Sequence, residues 1–434
     1  MCSSDLGAEI VHGHVQIGGQ TGLLRGRSHD ASLSLAAVSA HPAVEYIGHG
    51  VLAGWIPSTG AVFLQGPVLD LQAAQTLALP HPPLFIEEMV MKRLSMYEAR
   101  YIWDMNTVFS LGALAHQRRL EMHPENIVTY IVDRNINYTN ICTSGCKFCA
   151  FFKGPGEMGG YVLSTEEILA KIQETVDSGG YQILLQGGMN PDLPLSYYTG
   201  LLRTLKEHFP GVAVHGFSPT EVHFLSERED RPVAGILADL MAAGLDSMPG
   251  GGAEILVDAV RGRVSPHKCT ADQWLSVMET AHGLGMRTTA TMMFGQGETF
   301  DQRVEHLDRL REVQDRTGGF TAFIPWTFQP RNTRMEMPEA SSDEYLKFLA
   351  LCRLYLDNIE NIQASWVTQG PRIGQLALFW GANDFGSTML EENVVAATGV
   401  HFRLPEAELK SLVERAGFVP RRRTMDYTLV GCTP

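Results

Sequence analysis

The chain lacks any apolar run long enough to span a bilayer, and near its N-terminus no basic stretch precedes an apolar core. The reading therefore excludes membrane insertion and a secretory leader. Positive charge is also scarce. With 34 Lys and Arg against 48 Asp and Glu, the formal net charge is −14, which argues against a nucleic-acid footprint and against attachment to an anionic membrane surface. Cysteine is sparse, seven in 434 residues, and that odd number with three close together suits a reducing interior rather than a disulfide framework. We read the chain as cytoplasmic and acting on small molecules.

The first 83 residues lack a helical period. They are rich in Gly, His, Ala and Ser, with short β-like runs such as Ala61–Leu64 and a turn signal at Gly18-Gly19. Their histidines (His12, His14, His29, His41, His49) are too scattered for a ligand set. We read residues 1–83 as an N-terminal extension of unknown role, disordered or even artefactual, ending at the Leu79–Pro83 boundary, with the main domain over residues 84–434.

What is present centres on Asn135–Lys153, NINYTNICTSGCKFCAFFK, which holds Cys142, Cys146 and Cys149. Thiolates separated by three and then two residues, on a Gly-containing loop after an extended apolar run (Ile127–Val132), can meet one iron-sulfur cluster and leave one iron open. A structural zinc site is the competing reading, but zinc wants a fourth Cys or His at ligand spacing. The nearest downstream histidine considered, His208, falls on an expected helix. Cys2, Cys269, Cys352 and Cys432 are ungrouped and carry no assigned chemistry.

A helical lead-in runs from Ile86 to about Glu121, with Ser95 and Glu98 forming the S-x-x-E pattern of a helix starting near Met96. Strands and helices then alternate. Extended runs fall at Ile127–Val132, Tyr181–Leu185, Val212–Phe217, Leu245–Met248, Thr288–Phe294, Phe320–Trp326 and Gln363–Val367, with an eighth near Asn383–Ser387. Between most of them lie amphipathic helices: Thr165–Asp177, Leu195–His208, Val233–Ala243, Ala271–Leu284, Asp301–Arg316 and Asp343–Asn358. Such alternation predicts an α/β fold, a (β/α)8-type TIM barrel, with a doubly wound open sheet as its rival. In a barrel the residues after each strand line the active face. Here they are polar or Gly-rich: Gln186-Gly187-Gly188, Ser218 to Glu221, Pro249 to Glu254, Gly295 to Glu298 and Thr327 to Pro330.

The C-x3-C-x2-C spacing, with Phe148 just before the last Cys, resembles the signature of the radical S-adenosylmethionine (SAM) enzymes. Further segments are similar to one family among them: VTYIVDRNINYTNIC, LLQGGMNPDL, LDSMPGGGAEIL, TTATMMFG, FIPWTFQPRNT, ASWVTQG and GANDFGSTMLEENVV, spread from about Leu94 to Tyr427. That family is the cyclic dehypoxanthinyl futalosine synthases of the futalosine route to menaquinone (vitamin K2). Aminofutalosine synthases and the enzymes that make the deazaflavin precursor share its layout. One departure is Gln296-Gly297, which stands where the family leads us to expect His-Val.

The resemblance implies a [4Fe-4S] cluster on Cys142, Cys146 and Cys149, SAM as cofactor, and a reducing electron donor such as flavodoxin or ferredoxin. It implies that Phe148 packs beside adenine, that Gln186, Gly187 and Gly188 meet the methionine end of SAM, and that Ser218 and Glu221 join them. The implied reaction takes hydrogen from the ribose of dehypoxanthine futalosine and closes the sugar carbon onto the benzoate ring, after which a proton must leave. Asp246, Glu254, His215 and Asp384 are the candidate acceptors. Gln329, Arg331 and Arg334, after the sixth strand, are candidates for the substrate, a guanidinium being suited to its carboxylate. A non-enzymatic iron-sulfur or zinc-binding protein is the reading from another class.

Overall fold

The computed structural model describes residues 92–431 and, ahead of them, the backbone of six strands between Ile10 and Phe63. Two units, Met1–Met89 and Val90–Pro434, divide the chain. In the first, β1 (Ile10–Ile17), β2 (Gln20–His29) and β3 (Ser32–Leu33) form one antiparallel sheet, and β4 (Val44–Ile47), β5 (Val51–Ile56) and β6 (Gly60–Phe63) form another. The turn signal at Gly18-Gly19 lies outside the described residues, and the run at Ala61–Leu64 overlaps β6. The expected boundary at Leu79–Pro83 lies outside the described residues.

The second unit opens on the helix Met96–Met105, whose capping box is made as expected: Ser95 Oγ accepts from the Glu98 amide and the Glu98 carboxylate accepts from the Ser95 amide. Such a cap stabilises a helix by about 1 kcal/mol. The helix Val108–Met122 follows. Then come β7 (Ile127–Ile131), β8 (Asn135–Asn137), β9 (Gln182–Gln186), β10 (Ala213–Gly216), β11 (Ser247–Met248), β12 (Arg287–Phe294), β13 (Phe320–Thr327), β14 (Asn361–Ile362), β15 (Asp384–Ser387) and β16 (Val419–Arg422).

Strands β8 to β14 pair side by side in sequence order, all parallel, and β15–β7–β16 form a second parallel sheet. Two links join them. Residues 132–134 carry β7 directly into β8, and a parallel bridge from Gln363 to Asp384 connects the end of β14 to β15. The result is a ring with β7 and β8 sharing one position. A doubly wound sheet needs a reversal of strand order, and here there is none. Outside the ring lie the helices Thr165–Asp177, Leu195–His208, Val233–Ala243, Ala271–Gly283, Phe300–Thr317 and Ser342–Tyr355. Each turns an apolar stripe inward, as Leu201, Leu202 and Leu205 do on the second. Burying one such Leu side chain is worth about 1.5–3 kcal/mol.

Three elements differ from the sequence reading. The seventh strand stops at Ile362, and the expected run Gln363–Val367 instead leads into a helical turn, Trp366–Gln369. Side chains redirect the backbone there: the Ser365 amide donates to Tyr345 Oη at 2.7 Å and the Trp366 indole donates to the Ser387 carbonyl at 3.0 Å. Ser218 to Glu221, read as loop, are the N-cap and first turn of a helix, Pro219–Arg228, with Pro219 in the position where its missing N–H costs nothing. The strand β16 had no sequence signal, because half of it is exposed and its pattern does not alternate.

Candidate active site

The cysteine loop leaves β8 at Asn137 and is pinned along its length. The Cys142 amide donates to the Lys153 carbonyl and the Lys153 amide to the Asn140 carbonyl, both at 2.8 Å. Gly145 takes a φ of +56°, which lets the chain turn between the first two cysteines. On its inner side the loop meets the turn after β9. A Cβ on Gly188 would sit 2.2 Å from the Ile141 carbonyl oxygen, and one on Gly187 would sit 2.4 Å from the Tyr138 ring. No side chain fits at either place. On the outer side the Lys147 amide donates to the Val264 carbonyl, the Arg334 amide donates to the Lys147 carbonyl, and Arg334 Nη2 donates to the Gly145 carbonyl at 2.6 Å.

Cys142, Cys146 and Cys149 all face one cavity of about 420 Å³ inside the barrel, together with Phe148, Gln186, Gly187 and Gly188. Among the described residues no three His, Cys, Asp or Glu side chains stand close enough to hold a single ion. A cubane asks for one thiolate per iron, which three cysteines around one cavity can supply. Burial pushes the Cys146 thiol up to about 11 and raises that of Cys149, so positive charge must arrive before these thiols ionise. The Met189 amide already points at Cys142 Sγ, at 3.3 Å. A backbone N–H on sulfur is a common outer partner of a cluster ligand. The donor set fits an iron-sulfur cluster.

Beyond Phe148 the wall carries two buried polar groups of opposite design. Glu221 accepts from Tyr138 Oη at 2.6 Å, Ser218 Oγ at 2.6 Å and the Gly187 amide at 3.1 Å. Burial outweighs these bonds and pushes its carboxyl up to about 7. Glu254, held at a φ of +40°, accepts from Lys268 Nζ at 2.8 Å, and Lys268 in turn lies 5.2 Å from the centre of the Phe148 ring. The other oxygen of Glu254 has no hydrogen-bond partner, with Arg261 Nη1 3.9 Å away. Elsewhere in the cavity lie His215, whose Nδ1 is 2.7 Å from Ser247 Oγ, and Asp133, which accepts from Gln182 Nε2 at 2.9 Å and from Ser387 Oγ. Burial, aided by the charge of Arg423, lowers His215 to about 3, so its imidazole is neutral at physiological pH.

Several expected residues lie elsewhere. Asp246 precedes β11, at the end of the strand away from the cavity; it is exposed and is occupied by Lys206 Nζ and the Val214 amide, each at 2.6 Å. Asp384 is fully buried in the barrel wall, where it accepts from Thr129 Oγ1, Arg423 Nε and Nη2 and the Gly386 amide. With four donors it has nothing left for a substrate proton. Gln329 is buried beside Thr327, Arg331 is exposed, and Arg334 is spent on the cysteine loop and the Phe152 ring; none of the three lines the cavity. The reason is geometric: after β13 the chain turns outward over the cysteine loop. Of the expected acceptors, His215 and Glu254 are in place.

Sequence reasoning missed Lys268, Asp133, Asn137, Glu392 and Arg423, all lining the cavity. Asp133 lies just after β7 and Asn137 ends β8, where the rule that residues at strand ends face the site could have found them. Lys268 follows a short helix, Asp258–Val264, and carries no motif.

The radical SAM superfamily model matches residues 136–310, and the model for the CofH/MqnC C-terminal region matches residues 317–433. The chain is 50% identical to the cyclic dehypoxanthine futalosine synthase of Halalkalibacterium halodurans over 78% of its own length and 92% of the relative's. It is 43% identical to the protein of that name from Streptomyces coelicolor, over 77% and 85%. Identity to the aminodeoxyfutalosine synthase of Thermus thermophilus is 39%, over 79% and 94%. Among solved structures, methylornithine synthase superposes with a TM-score of 0.61 at 19% identity, covering 78% of this chain and 97% of that one, and so shares the fold.

Proposed function

The chain belongs to the radical SAM superfamily, in the family of the cyclic dehypoxanthine futalosine synthases, and from that premise we propose that it cyclises dehypoxanthine futalosine on the futalosine route to menaquinone. The observation that carries the proposal is the convergence of Cys142, Cys146 and Cys149 on one barrel cavity in a chain half identical to a synthase of that name. When bound, a reduced [4Fe-4S] cluster with SAM supplies one-electron hydrogen abstraction from the ribose.

The protein's own part is to bind, orient and move a proton. The three cysteines hold the cluster, Phe148 offers a ring to adenine, and Gln186, Gly187 and Gly188 border the space for the methionine end. Lys268 lines the cavity and is the cation offered to a carboxylate of SAM or of the substrate, since Arg423, which also lines it, is taken up by Asp384 and the Thr424 carbonyl. Glu254, with one oxygen unpartnered, is the acceptor better placed to take the proton released when the ring regains aromaticity, because the burial that keeps His215 neutral also makes its imidazole a weak base. A reducing partner such as flavodoxin or ferredoxin delivers the electron. No helix of the described residues is long and apolar enough to cross a membrane.

Aminodeoxyfutalosine synthase is the second reading, favoured by the 39% identity over 94% of that relative. The test is anaerobic reconstitution with dehypoxanthine futalosine, a reductant and SAM labelled in its adenosyl group. Label recovered as free 5′-deoxyadenosine, with a cyclised product of matching amount, supports the cyclase. Label bound covalently in the nucleoside product supports the second reading. Cys142→Ala, Cys146→Ala and Cys149→Ala should each abolish SAM cleavage, while Cys269→Ala and Cys352→Ala leave it within a small factor of wild type.

A further inference from the structure

Ser144 stands between two of the cysteines, and nothing in the reading so far uses it. Its side chain is buried, with Oγ 3.0 Å from Cys142 Sγ and 3.3 Å from Cys146 Sγ. Once those sulfurs are thiolates they carry no proton, so the hydroxyl is the donor in whichever contact it makes. It has one hydrogen for two sulfurs. The Met189 amide approaches Cys142 Sγ from another element, the turn after β9, so Cys142 is within reach of two donors.

The surroundings hold this geometry. Gly188 leaves no space between its own backbone and Ile141, and the Thr143 amide donates to the Met189 carbonyl at 3.0 Å, which fixes the loop against the turn on both sides of Cys142. Ser144 therefore has no polar alternative inside the loop and is set at a fixed distance from both sulfurs. Hydrogen bonds to a cluster's thiolates draw charge from sulfur and favour the more negative, reduced state.

We propose that Ser144 is a positioning residue for the cluster: its hydroxyl spaces Cys142 and Cys146 before iron arrives and then raises the cluster's reduction potential. The cluster gains one electron from the external reductant and no proton moves in this step. The proposal rests on the cluster reading, and wild-type protein run in parallel separates the two, since absence of a reducible cluster there fails that reading itself.

The experiment uses full-length Ser144→Ala and Ser144→Thr, reconstituted anaerobically with iron and sulfide. Iron per chain and the midpoint potential, from an EPR-monitored redox titration, are compared with wild type. Ser144→Ala should take up less iron than wild type, and the cluster it does form should reduce at a lower potential; Ser144→Thr, which keeps the hydroxyl, should return both to the wild-type values. Loss of iron from Ser144→Ala that Ser144→Thr restores, at unchanged melting temperature, supports the spacing role. Equal iron and equal potential in Ser144→Ala overturn the proposal, as does a loss of iron that Ser144→Thr does not restore.

Discussion

Two buried carboxylate–cation pairs share the barrel and differ in how completely each carboxylate is satisfied. Asp384 collects four donors, is wholly enclosed between β7, β15 and β16, and sits with its oxygens turned to Thr129 and Arg423. Glu254 bonds to Lys268 through one oxygen, leaves the other without a partner, and faces the cavity from a backbone conformation that a side chain rarely adopts. The same chemistry thus serves two ends. A saturated pair ties the three strands of one sheet together, whereas an unsaturated pair keeps a charge and a lone pair in reserve for whatever enters.

The largest effect should follow from breaking the saturated pair. Asp384→Asn leaves Arg423 uncompensated in the wall, and removal of one partner from a buried pair costs about 3–5 kcal/mol. Urea unfolding should show that loss; a change below about 1 kcal/mol would mean the pair is not what joins β15 to β7.

Lys268→Met tests the other pair. The Met chain preserves the apolar stem against Phe148, and Arg261 remains 3.9 Å from Glu254, so the stability loss should be smaller, about 1–2 kcal/mol. SAM binding, measured by calorimetry on the reconstituted protein, should weaken tenfold or more, about 1.4 kcal/mol. Unchanged SAM affinity would strip this pair of its binding role and erase the contrast.

Glu221 sharpens the comparison through pH. Burial lifts its carboxyl from the ordinary 4.5 to about 7 in the fold, so the folded state binds the proton more tightly than the unfolded chain. Stability is then highest below pH 4.5 as far as this group is concerned and falls as pH rises toward 7, by on the order of 3 kcal/mol. Glu221→Gln should flatten that part of the profile of unfolding free energy between pH 4.5 and 7. An unaltered slope would assign the dependence to other groups.

The smallest effect is expected at the positions that sequence reasoning favoured for the substrate. Gln329→Ala and Arg331→Ala lie outside the cavity and should leave the ratio of cyclised product to 5′-deoxyadenosine within about twofold of wild type. A clear excess of 5′-deoxyadenosine would bring the loop after β13 back to the substrate.

Those two positions also show where sequence reading stops. Strand–helix alternation and capping signals such as Ser95 and Glu98 gave the barrel, because period and caps are local properties of the chain. The cysteine loop was legible for the same reason: its spacing is its geometry. Whether Arg334 meets a substrate or a carbonyl of another loop depends on the direction in which the chain leaves β13, and no local pattern encodes that. Asp384 and Glu254 looked alike as acids in polar segments; only the count of donors around each, set by residues far away in sequence, tells them apart. Lys268 was invisible because its partner Glu254 belongs to a different loop.

The clasp between Arg334 and Gly145 joins residues 189 positions apart. Read in the order of synthesis, it means that the cysteines leave the ribosome long before the segment that backs their loop exists. A nascent chain ending near residue 310 would contain the whole of the radical SAM match, yet it would lack β13 to β16, the Arg334 clasp and the partners that flank β7. The two family regions are thus one folding unit divided only on paper. A separately expressed N-terminal half would present three cysteines without the scaffold that holds them in place.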